Sequence, residues 1–454
     1  MNVLVTTQVY PPELHPSALM VSQLARFLAA RGHDVTVACG HPHHPTGRLP
    51  EGWSRGLLRR EEHDGVRVIR GWHPVSPSRR IFVRGLVWIG QALGTAGAAL
   101  AAPKPDVIVN YGPPLVGPLL AAALAGARRA RLVSVIYDLY PDVAVESDSV
   151  RNPLVIAAAR RAERLQYRRS DRLLVLSEGF RRKLLARGVP PEKIAVIPVW
   201  LEADEITPRA RDTAWRRRHG IGPERHVVLY AGTTGLVSGA RVVLDAAARL
   251  RDREDVLFLF VGDGQVRAAL ESAAQELALA NVRFLPFQPR AELPEVQASA
   301  DLSLVTLAPG RGQTSVPSKV LGYMAAGRPV LASVDEDCDT AETVRDSGCG
   351  AVVPPGDPAA LAAAVERMLA DEPGRRRMGE AGRAAFERQF DAAAALPRYA
   401  ELLEELARPR APRPVGAGQP PPVDAGPRGP LTLSLSKGER ERPLMAAHPE
   451  LVEG

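Results

Sequence analysis

Cysteine and aromatic residues are scarce in this chain of 454 residues, and each shortage excludes a class of protein. The three cysteines, Cys39, Cys338 and Cys349, have no metal-ligand spacing, so they indicate a reducing compartment without a disulfide framework. Aromatic residues make up only 5% of the chain. No zinc knuckle or basic–aromatic RNA motif accompanies the net charge of +7, so we do not expect nucleic acid as a partner.

A long apolar run typical of a membrane helix is also missing. The nearest approach is the uncharged segment 85–102, which could barely span a bilayer, is rich in Gly and Ala, and contains Gln91. Three arginines precede it: Arg79, Arg80 and Arg84. An interfacial helix, with Phe82, Trp88 and Ile89 facing lipid, is therefore a better prediction than a span, and a packed helix stays open.

The charge and the start of the chain bear on location. The positive charge is almost all Arg, which suits anionic lipid headgroups or a lipid diphosphate, although a solvated helix face would explain it equally well. Residues 1–3 lead straight into a strand pattern without the basic region of a signal peptide. We expect a cytoplasmic protein, peripheral on the inner face of the cytoplasmic membrane.

Strand patterns alternate with helix patterns along most of the chain, which predicts an α/β fold with parallel sheets covered by helices on both faces. A first set of strands is predicted at residues 3–5, 35–38, 107–109, 132–136, 173–176 and 194–197. A second set is predicted at 227–230, 256–261, 282–285, 302–305 and 329–332. Ligands in such doubly wound sheets bind beyond the carboxyl ends of the strands.

A possible diphosphate cradle lies between the last two of these strands. The flexible sequence 310–312 precedes Pro317, which suits the first turn of a helix, and then Ser318 and Lys319. Free backbone N–H groups at a helix start favour an anion. Lysine is rare in this chain, so Lys319 is less easily explained as surface charge. The alternative is a helix cap followed by a tight helix–strand joint.

Several motifs, taken together with their order along the chain, resemble those of glycosyltransferase family 4. In the second half they are residues 258–264, 316–331 and 348–358. In the first half they are residues 10–13, 31–37, 138–142, 176–180 and 193–200. The resemblance covers roughly residues 1–405 and is strongest to the branch that builds bacterial surface polysaccharides, including N-acetylfucosamine transferases.

This resemblance implies a GT-B fold, in which two doubly wound, Rossmann-like domains face a cleft. The implied organisation is an acceptor-side domain at 1–200, a linker at 201–225, a nucleotide-sugar domain at 226–390, a helix returning to the first domain at 391–408, and a tail at 409–454. The tail begins Pro/Gly-rich and cannot bury enough apolar surface to order itself, so we predict that it is disordered.

The resemblance also implies that a sugar is transferred from a UDP-sugar to a polyprenyl-diphosphate-linked saccharide, with retention of its anomeric configuration. The branch that the chain resembles implies that this sugar is N-acetylated. No cofactor or metal is expected, because GT-B enzymes use helix dipoles and basic side chains instead. The expected catalytic residues are Asp138, Lys319 and Glu342, the last in the turn before the final core strand. The expected donor-binding residues are Gly232, Thr233, Gly262, Gly264, Arg311, Pro317, Ser318, Lys319 and Glu342. The expected acceptor-side residues are Glu13, His15 and Asp142.

The chain departs from the family pattern at several positions. Two family glutamates align with Thr314 and Gly322, and the second normally contacts the nucleotide ribose. A family histidine aligns with Tyr137, and an asparagine with Val199. Two alternatives therefore stay open: a catalytically silent GT-B protein that binds a nucleotide sugar as a scaffold, and a UDP-sugar epimerase.

Overall fold

A computed structural model describes residues 1–408 with gaps at residues 14, 45, 54–55, 79, 112–114, 147–149 and 313–318. The side chains of residues 81, 82, 144 and 146 are likewise not described. The tail and several residues named above therefore lie outside the described residues: 409–454, Arg79, Thr314, Pro317, Ser318 and the side chain of Phe82.

The first half of the chain folds around one sheet. Its strands are β1 (Asn2–Thr7), β2 (Asp34–Gly40), β3 (Leu58–His63), β4 (Val66–Gly71), β5 (Val107–Tyr111), β6 (Arg131–Ile136), β7 (Arg172–Val175) and β8 (Ile194–Val196). They lie in the order β3-β4-β2-β1-β5-β6-β7-β8, and every pair is parallel except β3–β4. The central strands are buried on both faces, which explains their Val- and Ile-rich sequences.

Helices cover both faces of this sheet. They are α1 (Pro16–Ala30), α2 (Ile81–Leu100), α3 (Val116–Arg128), α4 (Asp142–Glu146), α5 (Pro153–Arg169) and α6 (Glu178–Ala186), with a 3-10 turn at Pro191–Lys193. Alternate residues of β1 show the two faces. Val3 and Val5 pack in the core that contains α1, and Leu4 packs in the core that contains α2 and α3.

The second half folds around a separate parallel sheet. Its strands are β9 (His226–Ala231), β10 (Val256–Val261), β11 (Val282–Leu285), β12 (Leu302–Thr306), β13 (Val330–Ser333) and β14 (Gly350–Val353). They lie in the order β11-β10-β9-β12-β13-β14. Its helices are α7 (Ala214–Arg218), α8 (Arg241–Arg249), α9 (Arg267–Glu276), α10 (Leu293–Ala298), α11 (Lys319–Ala325), α12 (Asp339–Ser347), α13 (Pro358–Ala370) and α14 (Glu372–Gln389), with 3-10 turns at Leu236–Ser238 and Arg290–Glu292.

The final described helix, α15 (Ala392–Ala407), packs against the first half. The Tyr111 hydroxyl donates to the Tyr399 hydroxyl at 2.8 Å, and the Trp200 ring meets the Tyr399 ring edge-on with centroids 5.4 Å apart. At its far end, Glu404 accepts from Arg31 at 2.8 Å. The chain therefore crosses between the halves twice, once before β9 and once before α15.

The predicted fold class, two parallel-sheet units with helices on both faces, is confirmed. The strands β3, β4 and β14 were missing from the prediction. β3 is an edge strand whose residues are mostly charged and exposed, so it carries no alternating apolar signal. β14 is also an edge strand and has only four residues.

The helix α2 has two different sides. Its inner side packs so closely on β4 that a Cβ on Gly71 would lie 1.8 Å from the Gly94 carbonyl oxygen, which explains the small residues of this segment. Its outer side exposes Leu86, Ile89 and Leu93. Among the residues that the structure describes, no helix is long and apolar enough to cross a membrane.

Candidate active site

The carboxyl ends of the two sheets meet across a cleft. Ser177, which follows β7, donates from its hydroxyl to the Asp339 carboxylate at 2.7 Å, and Asp339 begins α12 after β13. The Gly179 N–H donates to the same carboxylate at 3.0 Å. A cavity of about 280 Å³ lies beside this contact and is lined by residues of both halves, including Glu342 and Arg398.

Lys319 lies at the carboxyl end of β9 rather than in solvent. Its amine donates to the Tyr230 hydroxyl at 2.5 Å and to the Thr233 carbonyl oxygen at 3.0 Å. The same nitrogen is 3.9 Å from the centroid of the Tyr230 ring, within range of a cation–π interaction. Burial lowers the pKa of the amine to about 8, because desolvation disfavours its charged form.

Glycines allow the turns after β9 and β10 to approach Lys319 and each other. Gly232 has a φ of +123°, and a Cβ there would lie 2.8 Å from Lys319 Cε. A Cβ on Gly262 would lie 2.2 Å from the Gly232 carbonyl oxygen, and one on Gly264 would lie 2.3 Å from the Thr234 carbonyl oxygen. Gly262 and Gly264 thus pack the two turns together, and Gly232 leaves room for the Lys319 side chain.

Arg311 belongs to a loop that Asp335 holds. The Gly310 N–H donates to both carboxylate oxygens of Asp335, at 3.1 and 3.0 Å, and the Gly312 N–H donates at 3.3 Å. The Asp335 carboxylate therefore orders the backbone on both sides of Arg311. The rest of the predicted cradle, including Pro317 and Ser318, lies outside the described residues.

Glu342 lies inside helix α12, so the prediction of a turn before the last strand was wrong. Its carboxylate pairs with the Arg182 guanidinium of the first half at 2.5 Å. The pair is partly exposed, and solvent screening limits its strength. This geometry gives Glu342 a place in the contact between the halves, one helical turn from Asp339.

The predicted acceptor-side residues separate into two groups. Glu13 is buried, and its carboxylate accepts from the N–H groups of His43 and His44 at 3.0 and 2.9 Å. His15 caps α1, with Nδ1 accepting from the Ser17 N–H. Asp142 instead pairs with Arg187, which also pairs with Glu163, so its described partners belong with α5 and α6.

Asp138 follows β6 by two residues, beyond the carboxyl end of that strand, and is exposed. Surrounding protein nevertheless removes enough water to raise the pKa of its carboxyl. The neighbouring Tyr137 is half-buried, and its hydroxyl has no hydrogen-bond partner among the described residues. A carboxyl with a raised pKa in a cleft is suited to exchanging or orienting a hydroxyl proton.

Sequence reasoning missed two features of this cleft. Asp339 gave no signal, because its partners Ser177 and Gly179 are remote in sequence and in the other half. A group of histidines at 41–44 and 73 could have been noticed, since His41, His43 and His44 directly follow a buried strand.

The comparisons with known proteins agree with this geometry. The family model for the glycosyl transferase 4-like domain matches residues 17–200, and the family model for glycosyl transferases group 1 matches residues 211–385. WcaI of Escherichia coli, named as a glycosyl transferase of colanic acid biosynthesis, is 28% identical over 381 residues, which cover 81% of this chain and 92% of WcaI. The 2-deoxystreptamine glucosyltransferase of Streptomyces kanamyceticus is 32% identical over 333 residues, 69% of this chain and 82% of the relative.

A solved structure shows the same fold. Anabaena HepE in complex with UDP superposes with a TM-score of 0.64 and 18% identity, covering 89% of this chain and 100% of HepE. At this identity the likeness shows the fold alone, which is GT-B. The matched domains in both halves and the 32% identical relative together establish the family. The chain therefore belongs to the group 1 glycosyltransferases, with a family 4-like domain in its first half.

Proposed function

We propose that this glycosyltransferase moves an N-acetylated sugar from a UDP-sugar to a polyprenyl-diphosphate-linked saccharide during synthesis of a bacterial surface polysaccharide. The observation that carries the proposal is the Lys319 amine, held at the carboxyl end of β9 by Tyr230 and Thr233. A role in polysaccharide synthesis is supported by the name of WcaI, which refers to colanic acid biosynthesis. A UDP-sugar donor is supported by the complex of HepE with UDP.

In this proposal Lys319 neutralises the leaving diphosphate. An ammonium group has three N–H donors, and the described residues supply partners for two of them. The third can donate to a phosphate oxygen, and this interaction strengthens as negative charge grows on the leaving group. Because the amine is already desolvated and held in place, little reorganisation is needed during the reaction.

The other residues would orient the reactants. Arg311 would add positive charge from the loop that Asp335 holds, so that no metal ion is required. Asp138 would orient the acceptor hydroxyl, and in a retaining transfer the leaving phosphate oxygen would accept its proton. Glu342 would act through the contact between the halves, since it pairs with Arg182.

The acceptor also suggests attachment to a membrane surface. The outer side of α2 exposes Leu86, Ile89 and Leu93, and the Arg84 guanidinium lies 5.4 Å from the centroid of the Trp88 ring. An apolar strip flanked by arginines suits the headgroup region of an anionic bilayer. We therefore propose a peripheral position on the inner face of the cytoplasmic membrane.

One observation favours a second candidate, a catalytically silent nucleotide-sugar-binding scaffold. At Gly322, where the resemblance places a glutamate, the amide end of the Gln297 side chain lies where a side chain would begin. A Cβ there would lie 2.7 Å from the Gln297 amide nitrogen. Binding of UDP-sugars without transfer to any lipid-linked acceptor would select this candidate.

Thermal unfolding with nucleotides tests the proposal. A ligand that binds only the folded protein adds about 2.7 kcal/mol at one hundred times its dissociation constant. We expect UDP and one UDP-sugar to raise the melting temperature of the protein, but to raise that of Lys319→Ala much less. The control is Lys104→Ala, which removes an exposed lysine of the first half. If no uridine nucleotide stabilises the unaltered protein, the proposed donor is wrong.

A further inference from the structure

Five imidazole rings gather at the carboxyl ends of three neighbouring strands in the first half. They are His15 in the loop after β1, His41, His43 and His44 after β2, and His73 after β4. We call these residues the histidine cluster. The proposed transfer mechanism uses none of them, although they lie beyond the carboxyl ends of the strands, where ligands of doubly wound sheets bind.

Ring contacts connect the members of the histidine cluster in two pairs. His15 and His44 meet edge-on with centroids 5.1 Å apart, and His43 and His73 meet with centroids 4.8 Å apart. His73 Nε2 also lies 3.0 Å from the carbonyl oxygen of His41, so the backbone of His41 contacts the pair formed by His43 and His73. The three strand ends therefore present two pairs of rings, and the loop after β2 contributes one ring to each pair.

Glu13 holds the cluster in place without using up its ring nitrogens. Its carboxylate is bonded to the backbone N–H groups of His43 and His44, and its closest approach to a ring nitrogen is 3.6 Å, to His43 Nδ1. His15 is half-buried and His44 is exposed, so a ligand at the carboxyl ends of these strands can reach both rings. His41 is 1% exposed, and neither of its ring nitrogens has a partner among the described residues.

The fixed charges around the cluster nearly cancel. Arg70 from β4 and Arg59 from β3 supply two positive charges, with guanidinium carbons 5.1 and 4.1 Å from the centroid of the Trp53 ring. Glu61 from β3, which pairs with both arginines, and Glu13 supply two negative charges. A further titratable neighbour is the buried thiol of Cys39 on β2. Burial raises its pKa to about 11, so it is neutral near pH 7.

Burial lowers the pKa of His15, His41 and His43, and nearby imidazoles lower it further. These three rings are therefore biased toward the neutral form near pH 7 when no ligand is bound. A multiply charged anion reverses this bias, because each ring that gains a proton gains both a positive charge and an N–H donor. Binding of such an anion must then take up protons from solvent.

We propose that the histidine cluster is a proton-linked binding site for the phosphate groups of the acceptor. This inference rests on the proposed function, which supplies a diphosphate-bearing acceptor on this side of the cleft. In this site His15 and His44 contact the anion directly. His43, His73 and His41 lie farther from the anion and adjust the charge of the site. The site would release the acceptor diphosphate as pH rises, independently of Lys319.

Calorimetric titration of Lys319→Ala, which lacks the proposed phosphate ligand of the second half, tests the site. The probes are inorganic pyrophosphate and farnesyl diphosphate, each titrated at pH 6 and pH 8 in buffers of different ionisation enthalpy. We expect uptake of about one proton and binding that is weaker by up to about a hundredfold at pH 8 than at pH 6, because one linked proton changes affinity at most tenfold per pH unit. Tighter binding of farnesyl diphosphate would assign the site to lipid diphosphate, and equal binding would assign it to phosphate alone.

Variants of the two reachable rings complete the test. His15→Asn keeps an N-cap acceptor for α1, and combined with His44→Gln it should weaken pyrophosphate binding about tenfold or more with an unchanged melting temperature. The control is His63→Gln, an exposed histidine at the other end of β3–β4. Binding without proton uptake, or equal binding by the double variant, would overturn the inference. UDP titration of the unaltered protein tests the proposed function separately, so the two failures are distinguishable.

Discussion

At the scale of residues, the proposed donor site depends most on a single amine, that of Lys319. We expect Lys319→Ala to weaken UDP binding by about 10- to 100-fold, which corresponds to loss of one hydrogen bond to a charged group. Transfer should fall further, because charge on the diphosphate is greatest in the transition state. Melting temperature should not fall, since the variant removes a desolvated charge. Unchanged UDP affinity and transfer would remove Lys319 from the site.

The pKa of Lys319 adds a pH dependence to the same contact. Because the pKa of the free amine is about 8, the free protein loses this positive charge as pH rises through 8. A bound diphosphate favours the charged form, so UDP affinity should be constant below pH 7 and fall by up to about tenfold per pH unit above pH 8. Calorimetry between pH 6.5 and pH 9.5 measures this fall. Lys319→Arg stays charged throughout and should bind UDP with little pH dependence; an equal fall in both proteins would refute the assignment.

The residues that could be predicted from sequence are those with an unusual local context. Lys319 stood out because lysine is rare here and follows a helix-start pattern. The ion pair of Glu342 and the buried carboxylate of Asp339 could not be predicted, because their partners are about 160 positions earlier in the chain. Only packing of the two halves brings them together.

Two helix starts form the contact between the halves at the scale of elements. Asp339 at the start of α12 accepts from Ser177 and Gly179 at the start of α6, and a Cβ on Gly179 would lie 2.3 Å from an Asp339 carboxylate oxygen. Gly179→Ala must therefore displace the carboxylate. We expect a loss of about 1.5–3 kcal/mol of unfolding free energy, the usual contribution of hydrogen bonds to charged groups. Chemical denaturation measures it.

The control for this variant is Gly126→Ala in α3, where a Cβ would meet nothing within 4 Å. Alanine favours helix over glycine, so this control should be slightly stabilising. Equal stability of Gly179→Ala and Gly126→Ala would mean that the contact between α6 and α12 contributes nothing.

Elements differed in how well the sequence predicted them. Central strands such as β5 and β10 are apolar throughout because both faces are buried, and this pattern is visible in sequence. The edge strand β3 has alternate residues in solvent and carries Arg and Glu, so nothing in its composition marks a strand. Its position depends on β4, with which it pairs antiparallel.

At the scale of the whole molecule, the two crossings of the chain tie the halves together beside the cleft. The Leu201 N–H donates to the Phe390 carbonyl oxygen at 3.0 Å, and the Ala392 N–H donates to the Leu201 carbonyl oxygen at 2.9 Å. The first crossing therefore pairs with the start of α15. Any movement of one half relative to the other would therefore bend both crossings at once, and α15 would move with the first half against which it packs.

The first half also has a surface that the proposed lipid acceptor would require. We expect Arg80 and Arg84, with Arg79, to hold the outer side of α2 against anionic bilayers. Each basic residue near such a surface contributes about 1 kcal/mol, and salt screens the attraction. The protein should therefore sediment with anionic liposomes, much less with neutral ones, and be released by high salt.

Replacing these three arginines with glutamate should detach the protein while UDP binding in the second half continues. The matched control replaces three exposed arginines of the second half, Arg241, Arg249 and Arg251, with glutamate, which changes the net charge equally. If both triple variants detach alike, net charge and not the α2 surface causes the attachment. Attachment indifferent to lipid charge and salt would refute the electrostatic surface. In that case the exposed Leu86, Ile89 and Leu93 would be the next residues to replace with polar side chains, because apolar burial alone is insensitive to salt screening.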